Sequence, residues 1–68
     1  LSAAWLLDKV CGWCGVRRGN VGVYEKQSLV LVNYGGASAQ EILNLAQEMR
    51  GSLFQKTGIV LEEEVVIL

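Results

Sequence analysis

The sequence predicts an α+β domain of two layers, with two helices packed on one face of a small mixed sheet in the order α-β-β(-β)-α-β. Three observations carry that prediction. Ser38-Ala39-Gln40-Glu41 fits the S-x-x-E capping box, and Ile42, Leu45, Ala46, Met49 and Leu53 follow it at helical spacing. Leu29-Val30-Leu31-Val32 is a compact, β-branched run of strand character. The closing stretch Ile59 to Leu68 is aliphatic at seven of its ten positions, so a further strand returns after the helix and can pair parallel with the Leu29–Asn33 strand.

The composition limits what such a domain does. At 68 residues the chain makes one small domain, and 51% hydrophobic residues make it globular rather than disordered. A net charge of −1 gives no general attraction to nucleic acid or anionic membrane, and no apolar run is long enough to span a bilayer. No signal-peptide pattern opens the sequence. With no His and two Cys, the chain lacks the four ligands of a structural zinc site. It opens on Leu1-Ser2-Ala3 without an initiator Met and is expected to be a piece of a longer protein, with parts of any active site elsewhere.

Ser2 to Val10 reads as the first helix, with Ser2 as N-cap. Ala4, Trp5, Leu6, Leu7 and Val10 make a broad apolar face; Asp8 and Lys9 mark the wet side; Cys11-Gly12 ends it. Gly12 to Gly19 reads as a loop running into an extended piece around Val16 to Arg18, and Gly19-Asn20 has tight-turn chemistry. Val21 to Tyr24 is a strand. Glu25 and Lys26 form a turn or bulge, and Gln27 to Asn33 is a strand expected to be buried on both sides. Tyr34-Gly35-Gly36 breaks it. The long helix then runs from the capping box to about Gln55 or Lys56, with Leu43 and Phe54 widening its stripe and Gln40, Gln47, Arg50 and Lys56 facing water. Thr57-Gly58 stops it before the closing strand, which is expected to be buried.

Four features carry candidate chemistry. Cys11-Gly12-Trp13-Cys14 has the C-x-x-C spacing of a thiol redox pair, but it follows a helix, where the dipole end is the wrong one for lowering a thiol pKa. A helix-ending Cys in a semi-buried spot followed by a loop Cys is the plainer reading. Arg17-Arg18 beside glycines reads as a phosphate grip or as a solvated turn. Gly35-Gly36 before a helix lacks the spacing of either phosphate-cradling motif and reads as a turn. Glu62-Glu63-Glu64 interrupts an apolar stretch, and strand alternation would turn at least one carboxylate toward the apolar side. Neighbouring carboxylates and an apolar wall favour a protonated carboxyl, able to donate a hydrogen bond to developing negative charge. Two exposed carboxylates and one at the sheet's edge is the reading beside it.

Taken together, Leu1 to Asp8, Gly19 to Asn33 and Gly58 to Val65 resemble, in order and with matching spacing, the C-terminal, substrate-binding domain of the UDP-N-acetylenolpyruvoylglucosamine reductase family, also called UDP-N-acetylmuramate dehydrogenase. The resemblance implies a cytoplasmic flavoenzyme of peptidoglycan precursor synthesis. Its NADPH and FAD would be held by upstream FAD-binding domains of the same chain, and its substrate is the UDP-sugar UDP-N-acetylglucosamine enolpyruvate. It implies that residues 1–68 are one substrate-binding domain, which by itself binds neither cofactor and does not catalyse, with no nucleic-acid or membrane partner.

Residue by residue, the resemblance places the catalytic Glu of the family's L-E-P-E-V segment on Glu64 and a substrate-contacting Gln on Gln27. It places Glu63 where the family has Pro, and Val66 where an Arg often follows. A substrate-binding Lys of the family's L-K-G loop falls on Cys14, and a thiol does not replace an ammonium in holding a diphosphate. Arg17 or Arg18 is the expected substitute. The rivals to this reading are a small C-x-x-C redox or interaction module, and a degenerate paralogue that keeps the fold without binding substrate.

Overall fold

The computed structural model describes residues 2–68; Leu1, the first residue of the Leu1–Asp8 stretch, lies outside the described residues. Helix α1 spans Ala3–Lys9, strand β1 Arg17–Arg18, β2 Val21–Val23, β3 Val30–Asn33, helix α2 Ala39–Thr57 and β4 Val66–Ile67. The strands lie side by side in chain order. β1 with β2 and β2 with β3 are antiparallel, while β4 returns after α2 to pair parallel with β3. The architecture is the expected one, with three strands between the helices.

Local chemistry sets the helix ends. Ser2 caps α1 by accepting the Trp5 N–H at 3.1 Å. At the other end of α1, Gly12 takes a left-handed φ of 70° while the Trp13 N–H closes back on the Leu7 carbonyl at 2.9 Å. In α2 the capping box forms in full: Ser38 Oγ accepts the Glu41 N–H and Glu41 Oε1 accepts the Ser38 N–H, both at 3.1 Å. Gly58 at φ 74° ends α2. The two-residue Gly19-Asn20 turn joins β1 to β2. Gly19 alone has positive φ, the arrangement of a type II′ hairpin, whose twist matches that of its strands.

Register explains the core. Val23 pairs with Leu31 and Val21 with Asn33, so Val21, Val23 and Leu31 share one face of the sheet. They form a single cluster with Leu6 and Leu7 of α1 and Leu45, Met49 and Leu53 of α2, closed by Trp13 and Leu61. Each fully buried aliphatic side chain contributes about 1.5–3 kcal/mol. Both helices therefore cover the same face, and no helix covers the other face, which carries Gly22 and Val32.

That one-sided arrangement corrects four expectations. β3 begins at Val30, and only Leu31 in it is fully buried, because no layer covers its second face. The seven-residue α1 buries a narrow seam, Leu6 and Leu7, and leaves Trp5 and Val10 exposed. In α2, Leu43 and Phe54 lie outside the buried stripe, while Arg50 is half-buried. The closing stretch is not a buried strand. Only Val66–Ile67 pairs, and Ile59, Val60, Val66, Ile67 and Leu68 are exposed, since β4 is an edge strand.

Candidate functional site

The parallel pairing of β3 and β4 brings two separated stretches to one end of the sheet. Val30 is opposite Val66 and Leu31 opposite Ile67. The Val66 N–H donates to the Leu29 carbonyl at 2.8 Å, immediately beyond the ladder. Gln27 and Glu64 each precede that hydrogen bond by two residues, so both sit where the two strands begin.

Gln27 closes the turn from β2 into β3. Its Oε1 accepts the Leu29 N–H at 3.5 Å, a weak tether that orients the amide. The next residue, Ser28, is buried and donates its hydroxyl to the Ala4 carbonyl at 2.7 Å, which pins the turn to α1. Gln27 thereby lines a recess of about 210 Å³ between α1, the α1–β1 loop and this turn, together with Trp5, Asp8, Cys14 and Lys26. The position carrying Cys14 and the position carrying Gln27, far apart in the chain, thus face the same hollow.

Glu64 is held differently. Residues 62–64 are not in a strand, so the alternation argument does not apply to them, and all three carboxylates are exposed. Leu61, buried in the core, anchors the segment on one side and the Val66–Leu29 hydrogen bond anchors it on the other. Between those anchors Glu64 stands at the rim of a groove of about 510 Å³ formed by α2 and β4, with Ile42, Ala46, Arg50, Val65 and Ile67. The groove is the apolar wall foreseen for this carboxylate, but it flanks Glu64 rather than enclosing it. Gln27 and Glu64 therefore share one end of the sheet and open into separate hollows.

The two arginines diverge because neighbouring strand residues point to opposite faces. Arg17, paired with Gly22, lies on the open face. Its guanidinium sits 4.0 Å over the Tyr34 ring, and Nε donates to the Gly19 carbonyl at 2.8 Å. Arg18, paired with Val21, lies on the helix face. It grips Glu48 of α2 through Nε at 3.3 Å and Nη2 at 3.2 Å, with Trp13 5.5 Å beneath. Both are on β1, the sheet edge opposite β4, and neither lines the recess of Gln27 and Cys14. The cation that does line it is Lys26, which sequence reading assigned to the turn. Its only signal there was adjacency to Gln27.

Cys11 and Cys14 are free thiols, both half-buried. Burial pushes the Cys14 thiol above the ordinary thiol range. The hydrogen bonding and charge of Asp8 push the same way, and Lys9 pulls weakly back. A reactive thiol needs the opposite shift, so the geometry does not favour the redox module. No group of three or more His, Cys, Asp or Glu side chains among the described residues is placed to hold a metal, and no helix among them is long and apolar enough to cross a membrane.

Comparison with known sequences agrees with the resemblance. The family model described as UDP-N-acetylenolpyruvoylglucosamine reductase, C-terminal domain, matches residues 1–68. A UDP-N-acetylenolpyruvoylglucosamine reductase of Polynucleobacter asymbioticus is 53% identical over 68 residues, covering 100% of this chain and 19% of that protein. One of Porphyromonas gingivalis is 54% identical over 63 residues, 93% of this chain and 18% of that protein. One of Paraburkholderia phymatum is 50% identical over 68 residues, 100% of this chain and 19% of that protein. The chain thus spans about a fifth of the length of the curated relatives it matches, 19% of the first.

Proposed function

Because this chain belongs to the UDP-N-acetylenolpyruvoylglucosamine reductase family and corresponds to its C-terminal domain, we propose that residues 1–68 are one substrate-binding domain of a longer reductase. Its substrate is UDP-N-acetylglucosamine enolpyruvate and its product UDP-N-acetylmuramate, made in the cytoplasm for peptidoglycan synthesis. The observation that carries this reading is the placement of Gln27 and Glu64 at one end of the parallel strand pair, tied by the Val66–Leu29 hydrogen bond.

The described residues do not fit a flavin. Gly35 and Gly36 line neither the Gln27 recess nor the Glu64 groove, and the α2 N-terminus is closed by its own capping box, with Ser38 accepting the Glu41 N–H. FAD and NADPH are accordingly assigned to the upstream domains of the longer chain, and the isolated 68 residues are expected to be inactive.

The chain's own residues have two tasks in this reading. Gln27, aimed from a turn pinned to α1, hydrogen-bonds the UDP-sugar. Reduction of an enolpyruvyl ether builds negative charge beside the pyruvyl carboxylate. Glu64 presents its carboxyl to that charge from a segment anchored on both sides, so little reorganisation is needed when the charge appears.

The test uses the protein at the length of its relatives. Titration with the UDP-sugar should shift the amide resonances of both Gln27 and Glu64. Glu64→Gln should slow oxidation of the reduced enzyme by substrate about 100-fold or more while sparing its reduction by NADPH. Equal loss of both half-reactions, or unmoved resonances in a folded protein, would refute the assignment.

A further inference from the structure

The recess beside Gln27 has an uneven supply of hydrogen-bonding groups. Its acceptors are largely engaged within the fold. The Asp8 carboxylate lies 3.5 Å from the Lys9 ammonium. Gln27 Oε1 faces the Leu29 N–H. Ser28 is buried, with its hydroxyl proton on the Ala4 carbonyl. The groups left over are donors. The Lys26 ammonium and the Gln27 amide N–H₂ have no hydrogen-bond or ion-pair partner among the described residues, and Trp5 carries an indole that can only donate.

A hollow that offers an ammonium, an amide N–H₂ and an indole N–H selects an anionic guest rich in acceptors. Among the described residues, Lys26 is the one cation lining it. The reacting end of the substrate is assigned to the Glu64 groove, a separate hollow at the same end of the sheet, so the recess is left for a remote anionic part. An ammonium is a compact point charge suited to phosphate oxygens that alternate in position, whereas a guanidinium fork such as Arg18 is already matched to a carboxylate.

We propose that Lys26 is the charged substrate-binding residue of this domain, holding the diphosphate of the UDP-sugar together with Gln27. The proposal rests on the reading of the chain as a substrate-binding domain. It also assigns the missing loop charge: Cys14 lines the recess where the family resemblance calls for Lys, and Lys26 reaches the same hollow from the β2–β3 turn.

The experiment is calorimetric titration of the relatives-length protein, as wild type and as Lys26→Met, with UDP and with uridine. Lys26→Met should weaken UDP binding about 10-fold or more and leave uridine binding unchanged, and adding Cys14→Lys to that variant should recover most of the loss. Unchanged UDP affinity in Lys26→Met, or an equal loss for uridine and UDP, overturns the role of Lys26 while leaving the domain assignment standing. A wild-type protein that binds neither UDP nor the UDP-sugar overturns the domain assignment itself.

Discussion

The Val66 N–H donates to the Leu29 carbonyl at 2.8 Å, and this one hydrogen bond locks the end of the closing stretch to the start of the central strand. It is continued by Leu68 N–H to Leu31 at 2.8 Å and Asn33 N–H to Leu68 at 3.0 Å. Val66 is 56% exposed, so the backbone rather than side-chain burial holds β4 in register. Val66→Pro removes the donor and is predicted to free β4 and Glu64 while the core stays folded, at a cost of about 0.5–1.5 kcal/mol. Hydrogen exchange should show lost protection at Leu68, Leu31 and Asn33, whose amides face the β3–β4 ladder, with Val32, which faces β2, unaffected, and substrate turnover by the longer protein should fall.

Gly22 is a packing glycine. A Cβ there would stand 3.0 Å from the Val16 carbonyl oxygen and 3.0 Å from Cε2 of Tyr34. The Tyr34 ring, which can move, also bears the Arg17 guanidinium, whereas the Val16 carbonyl belongs to the backbone leading into β1. Gly22→Ala is predicted to destabilise by about 1–3 kcal/mol through overpacking. Urea denaturation should show a lower midpoint with an unchanged slope.

The Arg18–Glu48 pair is bidentate but half exposed, with side-chain accessibilities of 51% and 49%. A double-mutant cycle with Arg18→Ala and Glu48→Ala is predicted to give a coupling of about 0.2–1 kcal/mol that shrinks with added salt. Because neither arginine lines the recess that holds Lys26 and Gln27, Arg17→Ala and Arg18→Ala should each change UDP affinity less than Lys26→Met does.

Cys14 makes the fold sensitive to alkali. Its thiol is pushed up, first by burial and then by Asp8. A raised folded-state pKa means that the folded protein holds the proton more tightly than the unfolded chain. The associated stability is full below the ordinary thiol value of about 8.5 and is lost as pH rises from there through the folded-state pKa. Cys14→Ala is predicted to flatten the alkaline decline in unfolding free energy relative to wild type. Alkylation of Cys14 at neutral pH should be slower than that of a free thiol.

Much of this was legible in local chemistry. Ser2, the Ser38–Glu41 box, Gly12 and Gly58 announce helix ends because each satisfies or ends a helix terminus by itself. The α2 stripe of Leu45, Ala46, Met49 and Leu53 follows from period alone. Gln27 and Glu64 were singled out from the family resemblance, and chain order through α2 was enough to expect the parallel pairing that sets them at one end.

What the sequence determined by itself, then, is the order and type of the elements and the family they belong to, since those depend on residues close together in the chain. The tertiary structure decided which faces are wet and which distant residues share a hollow. Apolar composition cannot say how completely the helix layer covers each element, and so it overstated the burial of β3, Leu43, Phe54 and the closing stretch. Nor can spacing say that Arg17 and Arg18 point to opposite faces, or that Lys26 rather than either of them lines the recess with Cys14. Those outcomes depend on strand register and on where α1 docks, which only long-range packing establishes.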